Sequence, residues 1–381
     1  MDDVCIGPSY DRPWILEPCV GTRLRAFVTR LLPRAEQDAE ARIPRPPEPD
    51  PMRLALACLP LLIAAALLPS AAVASAETGQ SAPRLHRHAT TERSWGANAY
   101  WLESDRGVVL VDALFLAPDV DALIATIRAT GKPLAGILLT HAHIDHFGGI
   151  PRLRKAFGEV PVYATKATAD AVRPLFERTR RAQWIKAYGE DFPSEVFVPD
   201  HIVASGATVE IAGMHFRFRD LGPVETGNNT IIENLEGKRL FTGDATVFAT
   251  AFYVGEGHSC SALQALQALR AHEDGKRMVY SGHYAAMRLG AVLDDNLGQI
   301  RTLRGLMREA LSNPANRAPD GALTEPVRAR LVSESARHFA GHADYGFGPE
   351  SYASDVNLPG LEAEIRRELD SGKACPAERS E

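Results

Sequence analysis

Residues 141–146 read HAHIDH, three histidines and an aspartate within six positions, and they follow directly on the apolar run LAGILLT of residues 134–140. No other feature constrains the fold as much. A continuous apolar run of strand length reads as a strand buried on both faces. Loops at the carboxyl ends of such strands are where ligand sites of layered α/β proteins gather. The fold must therefore bury a central strand and still open one end of it to chemistry. Imidazole and carboxylate together suit zinc, and also iron or manganese. His141 and His143, two apart, point one way while Asp145 and His146 turn toward a second position, so one loop serves two metal ions that share and activate a water.

The flanking sequence supplies the rest of such a fold. Residues 97–102 and 107–112 read as strands joined by a polar turn, opening the domain as a hairpin. Residues 119–130 place Val120, Leu123, Ile124 and Ile127 at helical spacing, and with the run at 134–140 they make a β-α-β unit. Further strands are expected at 162–163, 207–211, 215–220, 230–232, 239–242 and 278–280, with helices at 167–180 and 261–271. Two strand-rich halves with helices outside predict an α/β protein, a four-layer αββα sandwich. From about residue 294 the pattern turns helical, at 295–310, 325–339 and 361–369, a C-terminal extension that either closes over the site or forms a dimer surface.

The run THAHIDHFGG at 140–149 resembles the HxHxDH signature of the metallo-β-lactamase superfamily. Asp112, ending GVVLVD, looks like that family's early aspartate. FTGD at 241–244 looks like its bridging-aspartate motif, and YSGH at 280–283 like its last histidine. The motifs span roughly residues 88–290 in the family's order. The resemblance implies two divalent metal ions, zinc first with iron or manganese as alternatives. His141 and His143 would bind the first, Asp145, His146 and His283 the second, and Asp244 would bridge them. Asp112 would orient a ligand by hydrogen bonding. The sequence departs from the family at GPVETG, 222–227, where Glu225 stands in place of a histidine of the first metal position. Glu225 either completes that position as a carboxylate, favouring a harder metal, or leaves it weak.

The implied chemistry is hydrolysis by a water that the metals activate, with Asp145 assisting proton transfer. No Gly-x-Ser-x-Gly elbow is present, so covalent catalysis by a serine is not indicated. Trp95, the segment 184–192, Phe252, Tyr253 and Tyr284 are aromatic stretches able to wall a pocket, with 184–192 a candidate lid. Tyr284, Asn228 and Asn229 are candidate substrate or oxyanion contacts. His258, His338 and His342 lack ligand spacing.

Composition narrows the partner. With 381 residues, 45% hydrophobic, the chain can bury a large core, and its formal net charge of -6 offers no basic field to hold nucleic acid. A small-molecule substrate is expected. Residues 52–76 read as a secretory signal peptide: Met52 and Arg53 supply the positive start, 54–68 an apolar run shorter than the roughly 20 residues of a membrane span, and Ala74, Ser75 and Ala76 the cleavage site. A periplasmic or secreted protein without a retained span is expected, with translation from Met52, residues 1–51 non-native or disordered, and 77–87 a flexible start to a catalytic domain at 88–290; the rival reading is a cytoplasmic tail before an uncleaved anchor. The helical extension covers 291–381. Of five cysteines only Cys260 and Cys375 lie beyond the signal, either bridged or as two thiols.

Two functional readings lead and two more are disfavoured. The first is an exported hydrolase of a small ester, lactone, lactam (β-lactams included) or thioester. The second is a metal-binding or sensing protein that has lost efficient catalysis, motivated by Glu225. A nuclease of the same superfamily is disfavoured by the charge balance, and the redox di-iron version by His143, where that version has a glutamate.

Overall fold

The computed structural model describes residues 82–177 and 180–378. The expected signal peptide and residues 1–51 lie outside them. Among the described residues, twelve strands form two six-stranded sheets. The first runs in chain order through β1 (Arg84–Ala89), β2 (Asn98–Glu103), β3 (Val108–Val111), β4 (Leu134–Leu138), β5 (Val162–Ala164) and β6 (His201–Ile202). The short link between β2 and β3 makes that pair antiparallel, whereas β3 to β6 are parallel because longer connections carry the chain back each time. The second sheet contains β7 (Thr208–Ile211), β8 (Met214–Gly222), β9 (Asn229–Asn234), β10 (Arg239–Gly243), β11 (Met278–Ser281) and β12 (Met287–Arg288), again in chain order. Its one parallel pairing, β10 with β11, spans the helix Ser259–His272.

Successive side chains of a strand point to opposite faces, and here they enter different cores. Val109 and Val111 of β3 face inward with Leu102, Leu138, Phe216, Phe218, Ile232 and Phe241, the apolar layer between the two sheets. Val108 and Leu110 face outward into a second layer with Val120, Leu123, Ile127, Leu153 and Val172 from the helices Ala117–Ala129, Ile150–Phe157 and Lys166–Glu177. β8 shows the one-sided version: Met214, Phe216 and Phe218 are buried while His215 and Arg217 between them are exposed. The four-layer αββα arrangement follows from these alternations.

The fourth layer is the C-terminal region. Helices Leu289–Ser312, Glu325–His338 and Leu358–Ser371 join Ser259–His272 over the second sheet, where Leu293, Leu297, Ile300, Leu361 and Ile365 share one core with Leu240 and Val279. Arg304, fully buried, ties this layer together by donating to Ser259 Oγ at 2.7 Å, Glu368 at 2.9 Å and Glu378 at 2.6 Å. The Glu364 carboxylate accepts from the backbone N–H groups of Ser259 and Cys260, both at 2.9 Å, and so caps a helix that has no side-chain cap of its own. Cys260 and Cys375 are bridged, with their Cα atoms 5.6 Å apart.

One expectation is corrected. Residues 84–87, expected within a flexible start, belong instead to β1 (Arg84–Ala89), paired antiparallel with β2 along its whole length. RLHRHA has little apolar alternation, and the strand is held by its neighbour: the His86 ring stacks on Trp101 at 4.8 Å and Arg87 donates to Asn98 at 2.9 Å. Among the described residues no helix is long and apolar enough to cross a membrane.

Candidate metal centre

The HAHIDH run leaves the end of β4 and turns into the short helix Ile144–Phe147. Two glycines allow the other candidate ligands to approach it. A Cβ on Gly243, which has φ +51°, would collide with the Thr140 side chain, and one on Gly282 would collide with the Asp244 carboxylate. The glycine before each of Asp244 and His283 is thus a condition of the site. Asp112 is itself in the left-handed region, φ 59°, where a non-glycine residue costs energy that the surrounding structure must offset.

Six of the expected ligands and Glu225 converge at this point. Ligand atoms of His141, His143, Glu225 and Asp244 lie within 4.8 Å of one another, as do those of Asp145, His146, Asp244 and His283. Asp244 belongs to both groups. Its Oδ2 is 3.9 Å from His141 Nε2, 3.5 Å from His146 Nε2 and 3.0 Å from His283 Nε2. Asp145 Oδ2 lies 3.1 Å from His283 Nε2, and Glu225 Oε1 lies 2.9 Å from His143 Nδ1. Glu225 therefore stands in the first group beside His141 and His143.

The donor set fits divalent cations. His141 Nε2, His146 Nε2, Glu225 Oε2 and Asp244 Oδ1 are buried and have no hydrogen-bond partner among the described residues. Such atoms are costly unless something binds them. Burial, and then the neighbouring His146, hold His141 well below the usual imidazole range. Burial opposes charge on His283 too, but the Asp244 and Asp145 carboxylates outweigh it and raise this histidine to about 9. Burial pushes Glu225 up to about 7 against the pull of His143. Protons here do the charge balancing that a cation would take over.

Outside the cluster, hydrogen bonds fix which ring nitrogen faces in. Thr140 spends its hydroxyl proton on Asp112 Oδ2 at 2.8 Å, so toward His141 Nδ1, 3.0 Å away, it accepts. Asp112 Oδ2 accepts from His146 Nδ1 at 3.0 Å, and the Trp95 carbonyl from His283 Nδ1 at 2.9 Å. Each leaves Nε2 as the ring nitrogen that faces inward. Asn229 Oδ1 accepts from the backbone N–H groups of Val224, Glu225 and Thr226 at 3.2–3.3 Å and thereby shapes the loop that carries Glu225.

Other expectations land differently. Asn228 donates to Thr168 or Asp220 depending on its amide orientation, and Asn229 braces a loop. Tyr284, at φ 50°, lies with its ring 6.3 Å from that of His283 and against Gly96. In the 184–192 segment, Trp184, Tyr188 and Phe192 are buried with Phe115, and the Trp95 ring lies 5.1 Å from Trp184, a packed wall beside the site. His258 is half-buried, with Nε2 4.0 Å from Glu256. Sequence reasoning missed Trp95 as a ligand-orienting carbonyl, Glu256, and Tyr345, whose ring meets His283 edge-on at 4.8 Å. Neither Glu256 nor Tyr345 sits in a local pattern. Trp95 acts through its backbone, which no side-chain motif reports.

A family model for the metallo-beta-lactamase superfamily matches residues 94–283. A probable metallo-hydrolase of Streptococcus pyogenes is 38% identical over 74 residues, 19% of this chain and 31% of that protein. A hydroxyacylglutathione hydrolase of Aliivibrio salmonicida is 26% identical over 258 residues, 62% of this chain and 89% of its own length. Among solved structures, a beta-lactamase domain protein from Burkholderia ambifaria superposes with a TM-score of 0.55 at 17% identity, covering 76% of this chain and 86% of its own, a likeness of fold.

Proposed function

Because the chain belongs to the metallo-β-lactamase superfamily, we propose that it is an exported metallohydrolase with two divalent ions, zinc first, that cleaves a small ester, lactone, lactam or thioester. The observation that carries this reading is the pair of four-residue ligand groups sharing Asp244. His141, His143, Glu225 and Asp244 would hold one ion, and Asp145, His146, Asp244 and His283 the other. Bound there, the ions would supply Lewis acidity and make water a nucleophile near neutral pH.

The chain's own residues do the rest. Asp112, Thr140 and Trp95 keep three imidazoles turned with Nε2 inward. Asp145, buried between His146 and His283, is placed to pass a proton at its Oδ2. Tyr284, beside His283, is the candidate donor to developing negative charge. An acyl substrate is supported by the relative named as a hydroxyacylglutathione hydrolase, which aligns over most of its length. Export is supported by the signal-like segment at 52–76 and by the Cys260–Cys375 bridge, which an oxidising compartment sustains. Net charge -6 favours a small molecule over nucleic acid as partner.

The test combines metal analysis and turnover. Purified wild-type protein should carry two ions per chain and hydrolyse at least one of a panel of activated esters, thioesters, lactones and β-lactams, with chelator abolishing activity. Asp244→Ala, which removes the shared carboxylate, should lose both ions and all turnover. Two bound ions without turnover on the whole panel would move the protein to the metal-binding or sensing reading. No bound metal would sink the proposal.

A further inference from the structure

His141, His146 and His283 each turn Nε2 into the cluster and have Nδ1 held by an acceptor outside it. His143 is reversed. Its Nδ1 faces Glu225 at 2.9 Å, and its Nε2 points away from the cluster toward Glu256, whose Oε1 is 3.6 Å distant. A neutral imidazole that offers Nδ1 to a cation must carry its proton on Nε2, and a proton so placed needs an acceptor. Glu256 is the carboxylate on that side. Its other oxygen accepts from Thr226 Oγ1 at 3.1 Å, and Thr226 is the next residue after Glu225. Glu256, one-fifth exposed, thus lies beside the imidazole and is hydrogen-bonded to the loop of the two groups that distinguish the first ligand set from the second.

We propose that Glu256 is a positioning residue for the first metal position, holding His143 as the Nε2–H tautomer so that Nδ1 is free to bind, and anchoring the Glu225 loop through Thr226. The inference rests on the two-ion reading above. It also accounts for how a carboxylate serves at position 225: with Glu225 and His143 side by side, the His143 proton has a carboxylate on each edge of the ring, and Glu256 is placed to draw it away from the cluster. Carboxylate partners of metal-binding histidines fix ring orientation and raise basicity, and losing one weakens metal binding by about 10- to 100-fold.

The experiment titrates zinc, against a competing chelator, into wild type, Glu256→Ala, Glu256→Gln, Thr226→Val and His143→Ala, and records visible spectra of the cobalt(II)-loaded proteins. In Glu256→Ala, one of the two ions should bind about 10- to 100-fold more weakly. It should be the ion that His143→Ala loses, with the other unchanged. Glu256→Gln, whose amide oxygen keeps an acceptor beside Nε2–H, should recover most of the affinity and the wild-type cobalt spectrum. Thr226→Val should weaken the same ion to a lesser degree, and serves if Glu256→Ala fails to fold. Wild-type affinity for both ions in Glu256→Ala, or in Thr226→Val should only that variant fold, overturns the inference, as does a Gln variant no better than Ala. A wild-type protein that binds no zinc would instead mark failure of the two-ion reading itself.

Discussion

Glu225, which the sequence reading sets where the family would have a histidine, is buried against His143 with one oxygen unpartnered. A carboxylate in place of an imidazole adds negative charge and an oxygen donor, which shifts preference from zinc toward manganese or iron. Glu225→His should therefore raise the zinc-to-manganese ratio bound at the first position, measured by elemental analysis after equilibration with both metals. An unchanged ratio would mean that position 225 does not touch the metal. The convergence of these side chains was legible because the HAHIDH run, FTGD and YSGH each place a chemical group at the end of a strand, where a local pattern and a cluster coincide. Glu256 was not legible, because it acts across space on a ring whose orientation only the fold decides, and Trp95 contributes a carbonyl that every residue has.

At the level of elements, the site is the meeting of β4, β10 and β11 at their carboxyl ends, and its tightest joint is Gly282. The Gly282 N–H donates to the Gly243 carbonyl at 2.9 Å and its own carbonyl accepts from Asn98 at 2.6 Å, so both sheets close on one residue. Gly282→Ala should push Asp244 and His146 out of place, removing metal from both positions and costing about 1–3 kcal/mol of stability as overpacking does. Gly298→Ala, a glycine inside the helix Leu289–Ser312 with open space around it, should be neutral or stabilising by up to about 1 kcal/mol. Denaturant unfolding beside metal analysis checks the pair, and equal behaviour of the two would mean that the close approach at Gly282 is unimportant. Elements with strong periodicity, such as β8 and Ala117–Ala129, could be read from the sequence because alternate burial writes itself into residue type. The edge strand β1 and the two-residue β6 and β12 could not, since pairing with a neighbour defines them.

For the whole molecule, the C-terminal helices are an outer layer of the sandwich, and the loop after Glu325–His338 reaches the site, since its Tyr345 stands edge-on to His283 with its ring 5.4 Å from that of the fully buried Tyr352. Sequence showed that these helices exist, but an amphipathic helix does not state which sheet it will cover. What fastens this layer is polar and covalent as well as apolar: Glu364 caps Ser259–His272, Arg304 joins three glutamates, and the Cys260–Cys375 bridge closes a loop with a sequence separation of 115. In the chain-entropy account a loop of that size is worth about 4–5 kcal/mol, and measured values for disulfides run near 2–4 kcal/mol. Cys375→Ser should accordingly lower the unfolding free energy of oxidised protein by about 2–4 kcal/mol, and a thiol reductant should lower wild type to a similar level while leaving the variant unchanged. The bridge sits in the layer that supports Tyr345, so reduced protein should also lose activity at a lower denaturant concentration than oxidised protein. A chain made in a reducing compartment would lack this fastening and one made for export would have it. If reductant had no effect on wild-type unfolding, the bridge would not contribute, and support for export would fall back on residues 52–76 alone.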